Sequence, residues 1–371
     1  MKILIDGRFY GLENAGIGRY AINLISELSK LNTDNEYILL LRKKYFDSLK
    51  LPENWEKVLA DIDHYSFEEQ IKLPGIIKAE RPDIVHFLHF NVPIFYRGRY
   101  VVTIHDLLMH SQKGFSATTL PAPIYMIKRL GYRITFDSAV TNSTSIIVPS
   151  KSVKEDIVNF YKIPSKKVTV TYEGIDYKIM AQKEVAVQKP YFFYTGNAYP
   201  HKNLANLIKA VKLLNTKYNQ SVNLAISSAR NIFTQRLQKL IFRLGVEKNV
   251  FLLGFVSDNN LGYLYKNSIA FVFPSLSEGF GLPGLEAMSS GSLLIVSDIK
   301  VFREVYGDEA IYFDSKSVNS MAATMFEVMK MGSAEKEKRI KSGQKFVKRY
   351  SWAKMARETL NIYEKEGRHS L

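Results

Sequence analysis

Glu278 and Glu286 stand on either side of a glycine-punctuated loop, with seven residues between them. An apolar run of β type, Phe271-Val272-Phe273, ends at Pro274, and after Gly279-Phe280-Gly281-Leu282 the chain opens a helix. The first acid therefore lies where the chain leaves a strand, the second about one turn into the helix. Backbone amides at a helix start lack intrahelical partners and carry the positive end of the dipole. They suit an anion such as a diphosphate, while the acids suit hydroxyl groups. A ligand that offers both is a nucleotide-sugar.

Other residues have types and positions that suit chemistry. Tyr194-Thr195-Gly196-Asn197 closes a second strand, and Lys202 stands at the start of the helix that follows. A cation there opposes the helix dipole unless an anion binds beside it. Arg230 follows the strand that ends in Ser227-Ser228. In the first half, Gly16-Ile17-Gly18-Arg19-Tyr20-Ala21 has the spacing of a dinucleotide fingerprint, yet nine residues separate it from Asp6. A true fingerprint follows its strand directly, so glycines that only shape a loop are the competing reading. His105 closes the buried run Val101 to Ile104, at a strand end where a side chain can reach a ligand. A packed or solvated histidine is the plainer alternative. His86 and His89 lie near another strand end as structural or acceptor-side residues. No metal-ligand spacing joins these histidines.

The elements that must position these groups follow from length and periodicity. A chain of 371 residues is long for one core and divides naturally into two domains. Six candidate strands fall in the first half: Lys2 to Asp6, Tyr37 to Arg42, Asp83 to Leu88, Tyr100 to His105, Ser145 to Pro149 and Val168 to Tyr172. Six more follow: Tyr191 to Thr195, Asn223 to Ser227, Val250 to Phe255, Ile269 to Pro274, Ser292 to Ser297 and Ala310 to Phe313. Helical stripes intervene, such as Ile17, Tyr20, Ala21, Leu24, Ile25 and Leu28, or Leu204, Leu207, Ile208, Val211 and Leu214. The alternation predicts an α/β protein with two Rossmann-like, doubly wound parallel-sheet domains facing across a cleft. The expected boundaries are 1–178, a linker at 179–189, 190–349, and a C-terminal helix in 350–371.

Composition narrows the partners. Hydrophobic residues make up 46% and charged residues 23%, the balance of a folded globular protein. The start, Met1 to Asp6, reads as a strand rather than a signal peptide. No run approaches the ~18 apolar residues of a spanning helix, and there are no cysteines. A soluble cytoplasmic protein is expected. Net charge is +15, split as about +4 before residue 180 and about +11 after it. Nucleic acid is not expected, because no nucleic-acid motif accompanies the charge. A phosphate-bearing substrate, anionic lipid headgroups or a plain solvated surface all fit. The segment Gly114 to Phe136 mixes apolar and basic residues, including Tyr125, Lys128, Arg129 and Arg133. It fits an anionic membrane surface, an acceptor groove, or packing on the first domain.

Strand, Pro-Ser, Glu-Gly-Phe-Gly-Leu-Pro, Glu-Ala-Met, glycine and strand, in that order, resemble the signature of retaining glycosyltransferases of the GT-B type, glycosyltransferase family 4. Ser289 to Asp298 and Val301 to Gly307 extend the likeness. The resemblance implies that Glu278 holds hydroxyls of the transferred sugar and Glu286 those of the ribose. Gly279, Phe280, Gly281, Leu282, Gly196 and Asn197 then line the donor, and Gly16 and Gly18 let backbone approach it. It also implies that His105 contacts the sugar and Lys202 the diphosphate, with a C-terminal helix crossing back to the first domain. Asn197 and His201 stand where the family usually carries an arginine, which leaves Arg230 as a candidate second cation.

The resemblance further implies hexosyl transfer with retention, without a metal or cofactor, the GDP- or UDP-sugar being a substrate. The acceptor would be a saccharide or lipid-linked hydroxyl. Phe67-Glu68-Glu69-Gln70, Leu73-Pro74 and His86 to Pro93 look like bacterial mannosyltransferases of surface-polysaccharide assembly, so GDP-mannose is the first expectation. The alternatives are a UDP-hexose transferase, a nucleotide-sugar epimerase that needs no acceptor, and a non-catalytic nucleotide-sugar-binding subunit. Nicotinamide binding at the first glycine loop is not expected.

Overall fold

The computed structural model describes residues 1–31, 33–111, 118, 121–175 and 184–367. Part of the expected linker and the beginning of the Gly114 to Phe136 segment lie outside them. In chain order the strands are β1 (Lys2–Asp6), β2 (Glu36–Leu41), β3 (Trp55–Leu59), β4 (Ile84–Phe87), β5 (Tyr100–Thr103), β6 (Ser145–Val148) and β7 (Val168–Val170). They continue as β8 (Tyr191–Thr195), β9 (Asn223–Ser227), β10 (Val250–Gly254), β11 (Phe271–Phe273), β12 (Leu294–Ser297) and β13 (Ile311–Phe313). The helices are α1 (Ala15–Leu28), α2 (Lys43–Phe46), α3 (Phe67–Glu80), α4 (Leu108–Ser111), α5 (Ala122–Asn142), α6 (Lys151–Tyr161) and α7 (Leu204–Thr216). They end with α8 (Ile232–Leu244), α9 (Asp258–Asn267), α10 (Leu282–Ser289), α11 (Lys300–Tyr306), α12 (Val318–Lys330), α13 (Ser333–Phe346) and α14 (Trp352–Gly367).

Two sheets result, ordered β3-β2-β1-β4-β5-β6-β7 and β10-β9-β8-β11-β12-β13. Every strand pairing among the described residues is parallel. All twelve expected strands form, and β3 is added at one edge. Its residues Trp55-Glu56-Lys57-Val58-Leu59 are only partly buried, as suits an edge strand, so no continuous apolar run betrays it. The ladder of β5 stops at Thr103, which leaves His105 two residues beyond it.

The chain divides into two compact units. One joins Met1–Leu107, Leu120–Gly174 and Ser351–Leu371; the other joins Leu108–Thr119 and Ile175–Tyr350. The last helix thus belongs to the first unit, where α14 packs on α1. Its stripe of Trp352, Met355, Ala356, Leu360 and Tyr363 is buried, and so are Tyr20, Ala21, Leu24, Ile25 and Leu28 of α1. Each large apolar side chain so covered contributes ~1.5–3 kcal/mol. The Tyr363 hydroxyl lies 2.5 Å from Nδ1 of His86, and Nε2 of His86 lies 2.8 Å from Oγ1 of Thr103. His86 is therefore a buried structural residue, and desolvation lowers its pKa to about 3.

In doubly wound sheets, ligands bind beyond the carboxyl ends of the strands where strand order reverses. The reversal falls between β1 and β4 in the first sheet and between β8 and β11 in the second.

Candidate active site

In the second unit the reversal point carries a charge pair. Lys202 ends a short turn after β8, and Glu278 lies in the loop after β11. Nζ of Lys202 donates to Oε1 of Glu278 at 2.5 Å, with side chains only 13% and 11% exposed. The anion that a helix-start lysine requires is therefore supplied by the chain itself. Nζ also stands 5.6 Å from the centre of the Phe273 ring, and the Leu276 amide donates to the His201 carbonyl at 2.8 Å. These contacts hold the two strand-end loops together.

Gly281 has φ +109°, which a side chain rarely adopts, and an added Cβ would lie 2.2 Å from the Tyr306 hydroxyl. That hydroxyl donates to the Gly281 carbonyl at 2.5 Å and fixes the loop at the start of α10. The Phe280 ring is buried and meets Tyr350 edge-on at 5.6 Å, so this residue has only its backbone to offer a ligand. Leu282 is also buried. Glu286, one turn into α10, is 6% exposed and accepts from the Tyr265 hydroxyl at 3.3 Å.

Gly196 follows β8, and its amide donates to the Ser227 carbonyl at 3.1 Å. The Asn197 carbonyl accepts from the Tyr194 hydroxyl at 2.8 Å. Burial, with Lys202 next in effect, lowers His201 to a pKa of about 4. This imidazole is neutral near pH 7 and does not stand in for an arginine. Arg230 is exposed beyond β9, its Nε 3.7 Å from where a Cβ of Gly254 would lie.

The first unit also gathers polar residues at its strand ends. Nε2 of His105 donates to the Leu88 carbonyl at 3.0 Å, and Nδ1 faces Oε1 of Glu173 at 3.6 Å. The edge of Tyr20 completes this surround, with ring centroids 4.9 Å apart. Both ring nitrogens thus have neighbours within the chain. Gly16 and Gly18 separate in role. A Cβ at Gly18 would strike the Gly11 carbonyl oxygen at 1.8 Å, so close packing of the preceding loop accounts for it; at Gly16 nothing lies within 4 Å.

Between β1 and β4 lies a buried ionic cluster that the sequence did not reveal. Arg8 donates to both oxygens of Asp6, at 2.8 and 2.7 Å, and through Nη2 to Oε1 of Glu69 at 2.6 Å. Asn91 Nδ2 donates to Oε2 of Glu69 at 2.5 Å. Burial would raise the Asp6 carboxyl, but the fork of Arg8 holds it below its ordinary value. Glu69 takes only one guanidinium contact, and burial pushes it up. Glu173 and Tyr265 were missed as well. An acid soon after β7 is a weak signal, and a helix tyrosine gives none.

Doubly wound parallel units of this kind define an open-sheet α/β class, and solved structures show the same fold. An Anabaena protein in complex with UDP and glucose superposes with a TM-score of 0.73 at 16% identity, over 98% of this chain and 100% of that one. Residues 15–178 match the family model described as Glycosyltransferase Family 4, and residues 176–346 match Glycosyl transferases group 1. The chain belongs to the glycosyltransferases that these two domains define. It is 26% identical to the O-antigen chain mannosyltransferase RfbU of Salmonella typhimurium, over 93% of this chain and 94% of the relative. To the O-antigen chain mannosyltransferase B of Escherichia coli it is 25% identical, over 98% and 100%. No helix among the described residues is long and apolar enough to cross a membrane.

Proposed function

We propose that this glycosyltransferase moves a hexose, first of all mannose from GDP-mannose, to a hydroxyl of a saccharide or lipid-linked acceptor in surface-polysaccharide assembly. The pairing of Lys202 with Glu278 at the strand-order reversal carries the proposal. The two mannosyltransferase relatives support the choice of sugar.

Breaking the bond between the anomeric carbon and phosphate leaves negative charge on the departing diphosphate. Lys202 and the amides before α10 are preplaced donors for that charge, and one such donor is typically worth ~3 kcal/mol in the transition state. Arg230 is proposed as a second cation. Glu278 binds hydroxyls of the transferred sugar, and Glu286 binds the ribose. The departing phosphate takes the proton of the acceptor hydroxyl on the same face, so configuration is retained. A glycosidase needs an acid to protonate its leaving group; a diphosphate leaves without one, and no metal enters this scheme. His105 is proposed as a contact to the transferred sugar. Attachment to the inner face of a membrane, with the protein otherwise cytoplasmic, suits a lipid-linked acceptor. The Anabaena structure with UDP and glucose favours a UDP-hexose as second reading.

A thermal-shift series with GDP-, UDP- and ADP-sugars tests the proposal. A ligand at about 100 times its dissociation constant adds ~2.7 kcal/mol of stability. Stabilisation by GDP-mannose above the rest is expected; stabilisation by none would contradict a nucleotide-sugar site.

A further inference from the structure

Glu173 is a covered carboxylate that lacks a hydrogen-bond donor. It stands just past β7 and is 5% exposed. Two residues earlier the Thr171 amide still donates to the Val148 carbonyl of β6, at 3.0 Å. The residue after it leaves no room to shift: a Cβ at Gly174 would lie 2.1 Å from the Trp352 amide nitrogen, so the chain here is pressed against the start of α14. Among the described residues no group donates a hydrogen bond to Glu173, and its one ionic neighbour is the ring of His105. Buried polar groups are ordinarily hydrogen-bonded, and an exception calls for a reason.

The atom that faces it has the same need. Nε2 of His105 donates to the Leu88 carbonyl. A carbonyl can only accept, so in the neutral ring the lone pair is on Nδ1. That nitrogen lies 3.6 Å from Oε1 of Glu173, beyond hydrogen-bond length. Two acceptors therefore stand side by side beyond the end of β5. Tyr20 serves neither of them: its ring edge meets His105 at 4.9 Å, while its hydroxyl is engaged with Oγ1 of Thr103 at 3.0 Å. The pair suits a ligand that offers two donors a short distance apart. One hydroxyl has a single proton to give and serves one atom. Hydroxyls on two neighbouring carbons of a sugar ring serve both.

We propose that Glu173 is a further sugar-binding residue, which together with Nδ1 of His105 holds two adjacent hydroxyls of the transferred sugar. This rests on the function proposed above, which gives His105 a contact to that sugar, and places a charged acceptor beside it. Hydrogen bonds to an ionised acceptor are stronger than those to a neutral one. A site built to bond a hydroxyl also rejects the analogue that lacks it. Glu173 thus selects sugars that carry both hydroxyls over deoxy sugars.

Calorimetric titration of the full chain with GDP and with GDP-mannose tests it. Glu173→Ala should leave the affinity for GDP unchanged and lower that for GDP-mannose about tenfold or more. Analogues of GDP-mannose that each lack one hydroxyl locate the contact. Two deletions at neighbouring carbons should weaken wild-type binding, and in Glu173→Ala one of the two should have no further effect. A purely structural role would not produce that pattern. Glu173→Gln should melt at or above the wild-type temperature, because it removes a buried charge that no donor meets. If GDP-mannose binds wild type and Glu173→Ala equally well, Glu173 does not touch the sugar, and the proposed function stands without it. If the affinities for GDP and GDP-mannose fall together, or Glu173→Gln melts well below wild type, the carboxylate is a structural partner of His105 and the proposal fails. If wild type binds neither ligand, the reading on which the proposal rests fails with it.

Discussion

Nζ of Lys202 lies 2.5 Å from Oε1 of Glu278, joining the loop after β8 to the loop after β11. These strands are neighbours at the point where the second sheet reverses its order. Both side chains are nearly covered, so each charge answers the other rather than water. Under the proposed function a donor exchanges this contact for two new ones, its diphosphate taking the ammonium and its sugar hydroxyls the carboxylate.

Glu278→Gln keeps the shape and an acceptor but removes the charge. Turnover should fall about 10- to 100-fold, the worth of ~1.5–3 kcal/mol for a hydrogen bond to a charged group. Steady-state kinetics with GDP-mannose would show it, and a kcat equal to wild type would remove Glu278 from the reaction.

Tyr265 was invisible to sequence reasoning but donates to Glu286 at 3.3 Å. Tyr265→Phe leaves the ring in place and should weaken donor binding by ~1 kcal/mol. Glu286→Ala should cost more, ~1–3 kcal/mol. Calorimetric titration of both variants gives the comparison; equal and unchanged affinities would remove the ribose role.

The two glycines of α1 predict opposite outcomes. Gly18→Ala must displace the Gly11 carbonyl, and overpacking of this kind costs ~1–3 kcal/mol, so its melting temperature should drop. Gly16→Ala meets open space and should melt at the wild-type temperature or slightly above, with any penalty confined to KM. Equal melting temperatures would contradict the packing account.

Burial holds His86 at a pKa of about 3, and His64 and His201 at about 4. An unfolded histidine titrates near ~6.5. Between these values the unfolded chain binds protons that the folded chain does not. This part of the stability is complete above pH ~6.5 and is lost as pH falls toward ~4. The raised Glu69 carboxyl acts in the opposite direction in the acid range. The melting temperature should decline on acidification from ~6.5 to ~4, less steeply in His201→Asn. A flat profile in wild type would count against the buried neutral histidines.

What the sequence made legible was whatever repeats a local period. Both sheets and the α14 stripe followed from apolar runs, whereas β3, at a sheet edge with Glu56 and Lys57 among its residues, offered no such run. The order of residues from Phe271 to Met288 placed Glu278 and Glu286 near a strand end and a helix start, because loop and helix are contiguous in sequence. It could not show that Phe280 turns into the packing, or that Tyr306 braces Gly281, since those contacts span tertiary distance. Glu69 and Gln70 belong to a stretch that resembles bacterial mannosyltransferases, a likeness the relatives share. In the fold Glu69 meets Arg8, and Gln70 accepts from the Ile94 amide at 2.8 Å, so both brace first-unit loops. The ionic cluster of Asp6, Arg8 and Glu69 was illegible for the same reason: Arg8 and Glu69 stand 61 positions apart in the chain.

Titration of the purified protein with GDP-mannose, in wild type and in Lys202→Ala, tests most directly whether a nucleotide diphospho-sugar seats against the Lys202–Glu278 pair. Saturable wild-type binding, weakened about tenfold or more by the substitution, is the predicted result. Binding of equal strength in both proteins would place the diphosphate elsewhere and contradict the account.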